Sequence, residues 1–102
     1  MAGEWGVLRT VVSETDVSDE IDHQCEVYPR LREAWDALEW LLSRSGATVG
    51  RPPNIGDPSL RLYVQQDDVV ANVPSIWVLY RVSEQIEILA VNIVAPVEED
   101  DI

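Results

Sequence analysis

Between Arg30 and Val94 the apolar residues change spacing once, from a helical period to runs of the sheet type. Leu31, Ala34, Trp35, Leu38 and Leu42 fall on one stripe of a helix predicted over Leu31 to Arg44, with Leu41 at its edge. Glu33, Asp36 and Ser43 take the other side. Trp40 sits among them, roughly opposite Leu31, so its indole either packs under a neighbouring helix or meets a partner. Adjacent helices commonly form a hairpin, which favours the first reading. Gly46 is expected to end the helix, and Gly50 to Ser59 (GRPPNIGDPS) is turn-rich and without period.

Upstream, Trp5 to Val12 (WGVLRTVV) is apolar and β-branched and suits a strand. Ser18 is a candidate N-cap ahead of Asp19 and Glu20. Ile21, Cys25 and Tyr28 then recur at the spacing of one helical face. Pro29 disfavours helical geometry at Tyr28, which predicts two consecutive helices or one sharply bent.

Three sheet-type runs follow: Ser59 to Val64, Ser75 to Val82 and Gln85 to Val94. In the first, Leu60, Leu62 and Val64 alternate with Arg61, Tyr63 and Gln65, the pattern of a strand with one buried face. The other two are apolar on both faces, as interior strands are. Ser83-Glu84-Gln85 fits a three-residue hairpin loop. That register sets Val82 opposite Ile86, Arg81 opposite Glu87 and Trp77 opposite Val91. Ile76, Val78, Tyr80, Ile88 and Ala90 would then face the helices. Trp77, Leu79, Arg81, Leu89, Val91 and Ile93 would form an opposite, uncovered apolar face, which usually marks an interface. The expected architecture is α+β: about four strands in a mainly antiparallel twisted sheet, with two helices on one face.

The 102 residues are enough for one domain with a real core, spanning 1–102, with 96–102 as a disordered acidic tail. No apolar run approaches the ~18 residues that span a bilayer. No secretory signal is visible, and the single Cys25 can form no internal disulfide, so a cytoplasmic protein with no membrane association is expected. The charge changes the picture most. Nineteen acidic residues face seven basic ones, all arginine, for a net charge of -12. Residues 1–51 carry five Arg against ten acids, and 52–102 carry two against nine. Phosphate binding needs clustered basic groups, so direct nucleic-acid binding without help is disfavoured. Like-charge solubility accounts for such a surface, and a basic protein partner would suit it.

With the helix ending EWLLSR, the LRLYV and VLYRV strands and the final ILAV strand on the page, the chain resembles the RelE/ParE toxin superfamily of toxin–antitoxin modules. The resemblance runs from the helix pair through Val94. It implies a strand, a helical hairpin and a three-stranded antiparallel continuation. It also implies a bacterial type II toxin acting on translation, through mRNA cleavage, or on gyrase, and neutralised by an antitoxin that wraps its helices and sheet. Cleaving members use Arg and Lys on the strands and a Tyr or His near the C-terminus. Carried over residue by residue, the catalytic candidates are Arg61 and Arg81, with Tyr63 and Tyr80 as nearby phenols. The chain departs from the pattern beyond Val94, where Ala95-Pro96-Val97 and then four acids stand, and it has no lysine. An Arg81–Glu87 cross-strand pair would further neutralise one candidate.

Other constellations fail. His23 and Cys25 point about 200° apart on a helix and have no second ligand pair. Gly46, Gly50 and Gly56 form no phosphate loop. Asp67-Asp68 and Glu98 to Asp101 read as a solvated loop and tail. No cofactor is expected. Two functions from different classes therefore stand. One is a toxin-like component restrained by an antitoxin. The other is a non-catalytic protein-binding module of the same fold. Its partner residues would be Trp40, Trp77, Leu79, Leu89 and Val91, and its partner a basic protein or a second copy.

Overall fold

The apolar stripe of Leu31, Trp35, Leu38 and Leu42 draws the long helix onto the sheet, and this packing sets the rest of the architecture. The computed structural model describes residues 8–53 and 56–96. Its elements in chain order are β1 (Val11–Ser13), α1 (Thr15–Val27), α2 (Leu31–Val49), β2 (Leu60–Gln65), β3 (Ser75–Val82) and β4 (Ile86–Val94). The four strands form one sheet in the order β1-β4-β3-β2, with β1 parallel to β4 and the other pairs antiparallel. Both helices lie on one face. Val17 and Ile21 of α1 and the stripe of α2 close a core with Ile76, Val78, Tyr80, Ile86 and Ile88. The expected α+β architecture is therefore present, in a mixed sheet with one parallel pair and two antiparallel ones.

The two helices are separate, one of the two forms that Pro29 predicts, with Tyr28, Pro29 and Arg30 between them. Their boundaries differ from expectation. α1 begins at Thr15, not after Ser18, because the Glu14 N–H is held by the Ile88 carbonyl at 3.1 Å. The Glu14 carbonyl then accepts from Val17 and Ser18 at 3.0 and 3.1 Å. α2 does not stop at Gly46 but continues to Val49. Gly46 is a buried interior residue, where the missing side chain lets Ile86 and Tyr80 approach the helix. β1 is shorter than the run that predicts it. Leu8 to Thr10 are not strand, and Trp5 to Val7 lie outside the described residues, as does the acidic end from Val97. Arg9 is instead stitched to α2, its N–H to the Ser43 carbonyl at 2.9 Å and its carbonyl to the Ser43 hydroxyl at 2.8 Å.

The β3–β4 hairpin closes as expected, with Val82 opposite Ile86 and Arg81 opposite Glu87. The register then slips. Tyr80 lies opposite Ile88 and Leu79 opposite Ala90, which leaves Leu89 as the extra residue of a bulge. Trp77 consequently faces Asn92, not Val91. Past the bulge the alternation is inverted: Val91 and Ile93 pack against the core, and Ala90 is exposed. A strand apolar on both faces gives no periodic signal of such a slip, which is why the expected face assignment fails beyond Ile88.

β2 carries a second inversion. Directly opposed residues in an antiparallel pair share a face. Arg61, Tyr63 and Gln65 lie opposite Tyr80, Val78 and Ile76, and so face the helix side. Leu62 and Val64 lie opposite Leu79 and Trp77 on the uncovered face, the one that no described helix covers, and Leu60 alone of the apolar triplet is buried. The largest helix–sheet contact is that of α1 with β4, and β2, at the far edge of the sheet, meets the end of α2 through Arg61.

Candidate functional site

The two candidate arginines are on neighbouring strands but on opposite faces of the sheet. Arg61, on β2, points to the helix side, where its Nη2 donates to the Gly50 carbonyl at the end of α2. Its Nε is enclosed and without a hydrogen-bond partner. Arg81, on β3, points to the uncovered face and lies between two carboxylates. Its Nη2 is 3.8 Å from Asp57 and its Nη1 3.8 Å from Glu87. Asp57 is itself fixed by the Ser59 hydroxyl at 2.7 Å and the Ser59 N–H at 2.9 Å. Those two bonds, with Arg81 beside them, hold its carboxyl below the usual range. The Arg81–Glu87 pair expected from the hairpin register is thus present and joined by Asp57.

The phenols do not complete a phosphate site. Tyr80 is fully buried, and its hydroxyl donates to the Gly46 carbonyl at 2.7 Å. Burial pushes its pKa up, against the opposing pull of Arg61 and Gly50. Tyr63 is half-buried against the core, its hydroxyl 3.3 Å from the Gln65 amide oxygen. His23 is exposed and Cys25 packs against the core from the same helix. Among the described residues no group of His, Cys, Asp and Glu could hold a metal ion.

The partner-surface candidates divide. Trp77 is 43% exposed on the uncovered face, with Leu79 half-buried on the same face. Leu89 is the bulged residue, and Val91 must be removed from that surface because the bulge turns it toward the core. Trp40 does not pack under α1 as the hairpin argument expected. It is 61% exposed on the outside of the helical layer, with the Arg44 guanidinium stacked 4.3 Å from the ring centre. Trp40 and Trp77 therefore lie on opposite sides of the molecule and cannot form one patch.

Two residues missed in the sequence take the vacated places: Leu62 and Val64 join Leu79 and Trp77 across the β2–β3 ladder. The available signal was Arg61, because a strand with a tethered cation on one side presents its apolar side elsewhere. At the same end of the sheet Val94 is 38% exposed, and Val69 and Val70 of the β2–β3 loop are 41% and 98% exposed. Leu62, Val64, Trp77 and Leu79 are thus neighbours in one apolar patch on the sheet, with the Arg81–Asp57–Glu87 cluster at its far end. Among the described residues no helix is long and apolar enough to cross a membrane. No protein-family model, curated protein or solved structure matches the chain at a significant level.

Proposed function

We propose that this protein is a non-catalytic protein-binding module that engages a basic partner through the uncovered face of its sheet. The carrying observation is the fate of the two arginines. A cleavage site must converge several cations and a proton donor on one phosphate. Arg61 is spent on the Gly50 carbonyl on one face, and Arg81 on Asp57 and Glu87 on the other. The apolar surface of Leu62, Val64, Trp77 and Leu79, on a chain of net charge -12, is instead suited to an apolar-centred interface with a cationic rim.

A second reading keeps the RelE/ParE resemblance in full: a toxin of a type II toxin–antitoxin module, acting on translation in the bacterial cytoplasm. One observation favours it. The element order, a strand, a helical hairpin and then three antiparallel strands, is the order that the resemblance implies. Induced expression in a bacterial host separates the two. The binding-module reading expects unimpaired growth and intact transcripts. Growth arrest with mRNA cleavage, abolished by Arg61→Ala or Arg81→Ala, would decide for the toxin.

A further inference from the structure

Among the described residues β4 is paired along only half of its outer side. β1 stops at Ser13, opposite Ile88, and the chain turns there into α1. From Ala90 to Val94 no described strand lies on that side. The Ile86 N–H and the Ile88 carbonyl face β1, and backbone groups alternate sides along a strand. The bulge shifts that alternation by one residue, so the N–H and C=O groups of Val91 and Ile93 face the open side. The run Ala90-Val91-Asn92-Ile93-Val94 carries no charge and no proline, and three of its five residues are β-branched. Edges of this kind template another strand, and proteins normally blunt them with lysine, proline or a covering element. Here the first blunting residue is Pro96, past the end of the run.

The surroundings select the occupant. On the helix side, Asp16, Val17 and Glu20 of α1 line a shallow groove with Leu89, Ala90 and Val91. Asp16 is exposed, and Glu20 is half-buried with the Gln24 amide on its carboxylate at 2.8 Å. No described arginine pairs with either. On the other side, Asn92 lies opposite Trp77 and Val94 opposite Ser75, which joins the edge to the apolar face. We infer that the β4 edge from Ala90 to Val94 adds one extended strand from a protein partner, with Arg or Lys at the alternate positions that face Asp16 and Glu20. Five residues at ~3.3 Å each give ~17 Å of edge, a normal length for strand addition. A second copy would bring two Asp16–Glu20 pairs together, and the chain's own Glu98 to Asp101 segment has the same wrong sign.

The inference deepens the protein-binding reading and rests on it. It is tested on the full chain by residue-resolved amide exchange, with a blocked peptide of alternating valine and arginine as the probe. Exchange at Val91 and Ile93 is expected to slow at least ten-fold, and a valine–glutamate peptide to leave it unchanged. Asp16→Lys with Glu20→Lys should weaken the arginine peptide at least ten-fold with the circular dichroism unaltered. Trp77→Ser should leave the edge protection in place, which separates this site from the sheet face. Peptide binding that protects neither amide is unspecific charge attraction and overturns the inference. Protection that rises with protein concentration alone identifies a second copy and overturns it too.

Discussion

The Tyr80 hydroxyl on β3 donates to the Gly46 carbonyl inside α2, 2.7 Å away and 34 residues back along the chain. The bond fixes how far α2 slides along the sheet, and it needs two places without side chains. A Cβ at Gly46 would stand 2.8 Å from Ile86 Cδ1, and one at Gly50 would collide with the Tyr80 hydroxyl, 3.1 Å from the Leu62 carbonyl.

These neighbours set the two positions apart. Gly46 is inside a helix, where alanine gains ~1 kcal/mol, and its clash is with the end of a movable side chain. Gly46→Ala should therefore be close to neutral. Gly50 has an extended backbone, φ -82° and ψ 172°, that any residue adopts, but its neighbours are a buried phenol and main chain. Gly50→Ala should cost ~1–3 kcal/mol, in the range of overpacked sites. Urea denaturation of both variants checks the order.

Tyr80→Phe removes the donor and leaves the Gly46 carbonyl unsatisfied, at a cost of ~1–2 kcal/mol at neutral pH. The same phenol shapes the alkaline limb. Burial raises its pKa in the folded state, so above about pH 10 the unfolded chain loses a proton that the folded chain keeps. Stability falls as pH rises through that point. The fall should be shallower in Tyr80→Phe, measured as unfolding free energy against pH from 8 to 11.

Much of the fold was legible because its elements announce themselves singly. The α2 stripe, the break at Pro29 and the loop at Ser83–Gln85 each rest on local spacing or turn chemistry, and each is where the residues put it. What was not legible depends on contact between distant segments. Gly46 reads as a stop until Tyr80 is known to lie against it. The slip at Leu89 leaves no trace in Ile86 to Val94, where both faces are apolar. β2 reads as buried on its leucine side because the strand does not reveal that Arg61 is held by the end of α2 and Tyr63 by the core. For the candidate site, Trp77 and Leu79 could be assigned from β3 alternation, while Val91 could not, lying past the slip.

The two arginines should behave differently when removed. Arg61 has a buried Nε and a main-chain partner, so Arg61→Ala should destabilise by ~1–3 kcal/mol. Arg81 makes two half-exposed pairs at 3.8 Å, and Arg81→Ala should cost ~0.5 kcal/mol or less. Neither should alter affinity for RNA, since seven arginines among nineteen acids leave no cluster of free cations to release counterions. A fluorescence titration at physiological salt is expected to show no submicromolar binding. Tight binding with a steep salt slope, lost in either variant, would return both residues to phosphate recognition.

The uncovered sheet face should drive association, and salt should reveal with what. Burying ~400 Å² around Leu62, Val64, Trp77 and Leu79 is worth ~10 kcal/mol gross at ~25 cal/mol/Å². Immobilising a partner takes back several kcal/mol or more, and the remainder still supports an interface anchored by an indole. A homodimer also meets the repulsion of two chains of net charge -12, so raising the salt should strengthen it. A basic partner is drawn in by the same field, so salt should weaken that complex instead. Light scattering at low and high salt, alone and with the partner, reads the two signs directly. Trp77→Arg should abolish either association while leaving the fold intact, because 43% of that side chain already faces water. A monomer at ~100 μM in both salts, with partner binding indifferent to Trp77→Arg, would remove this face as an interface.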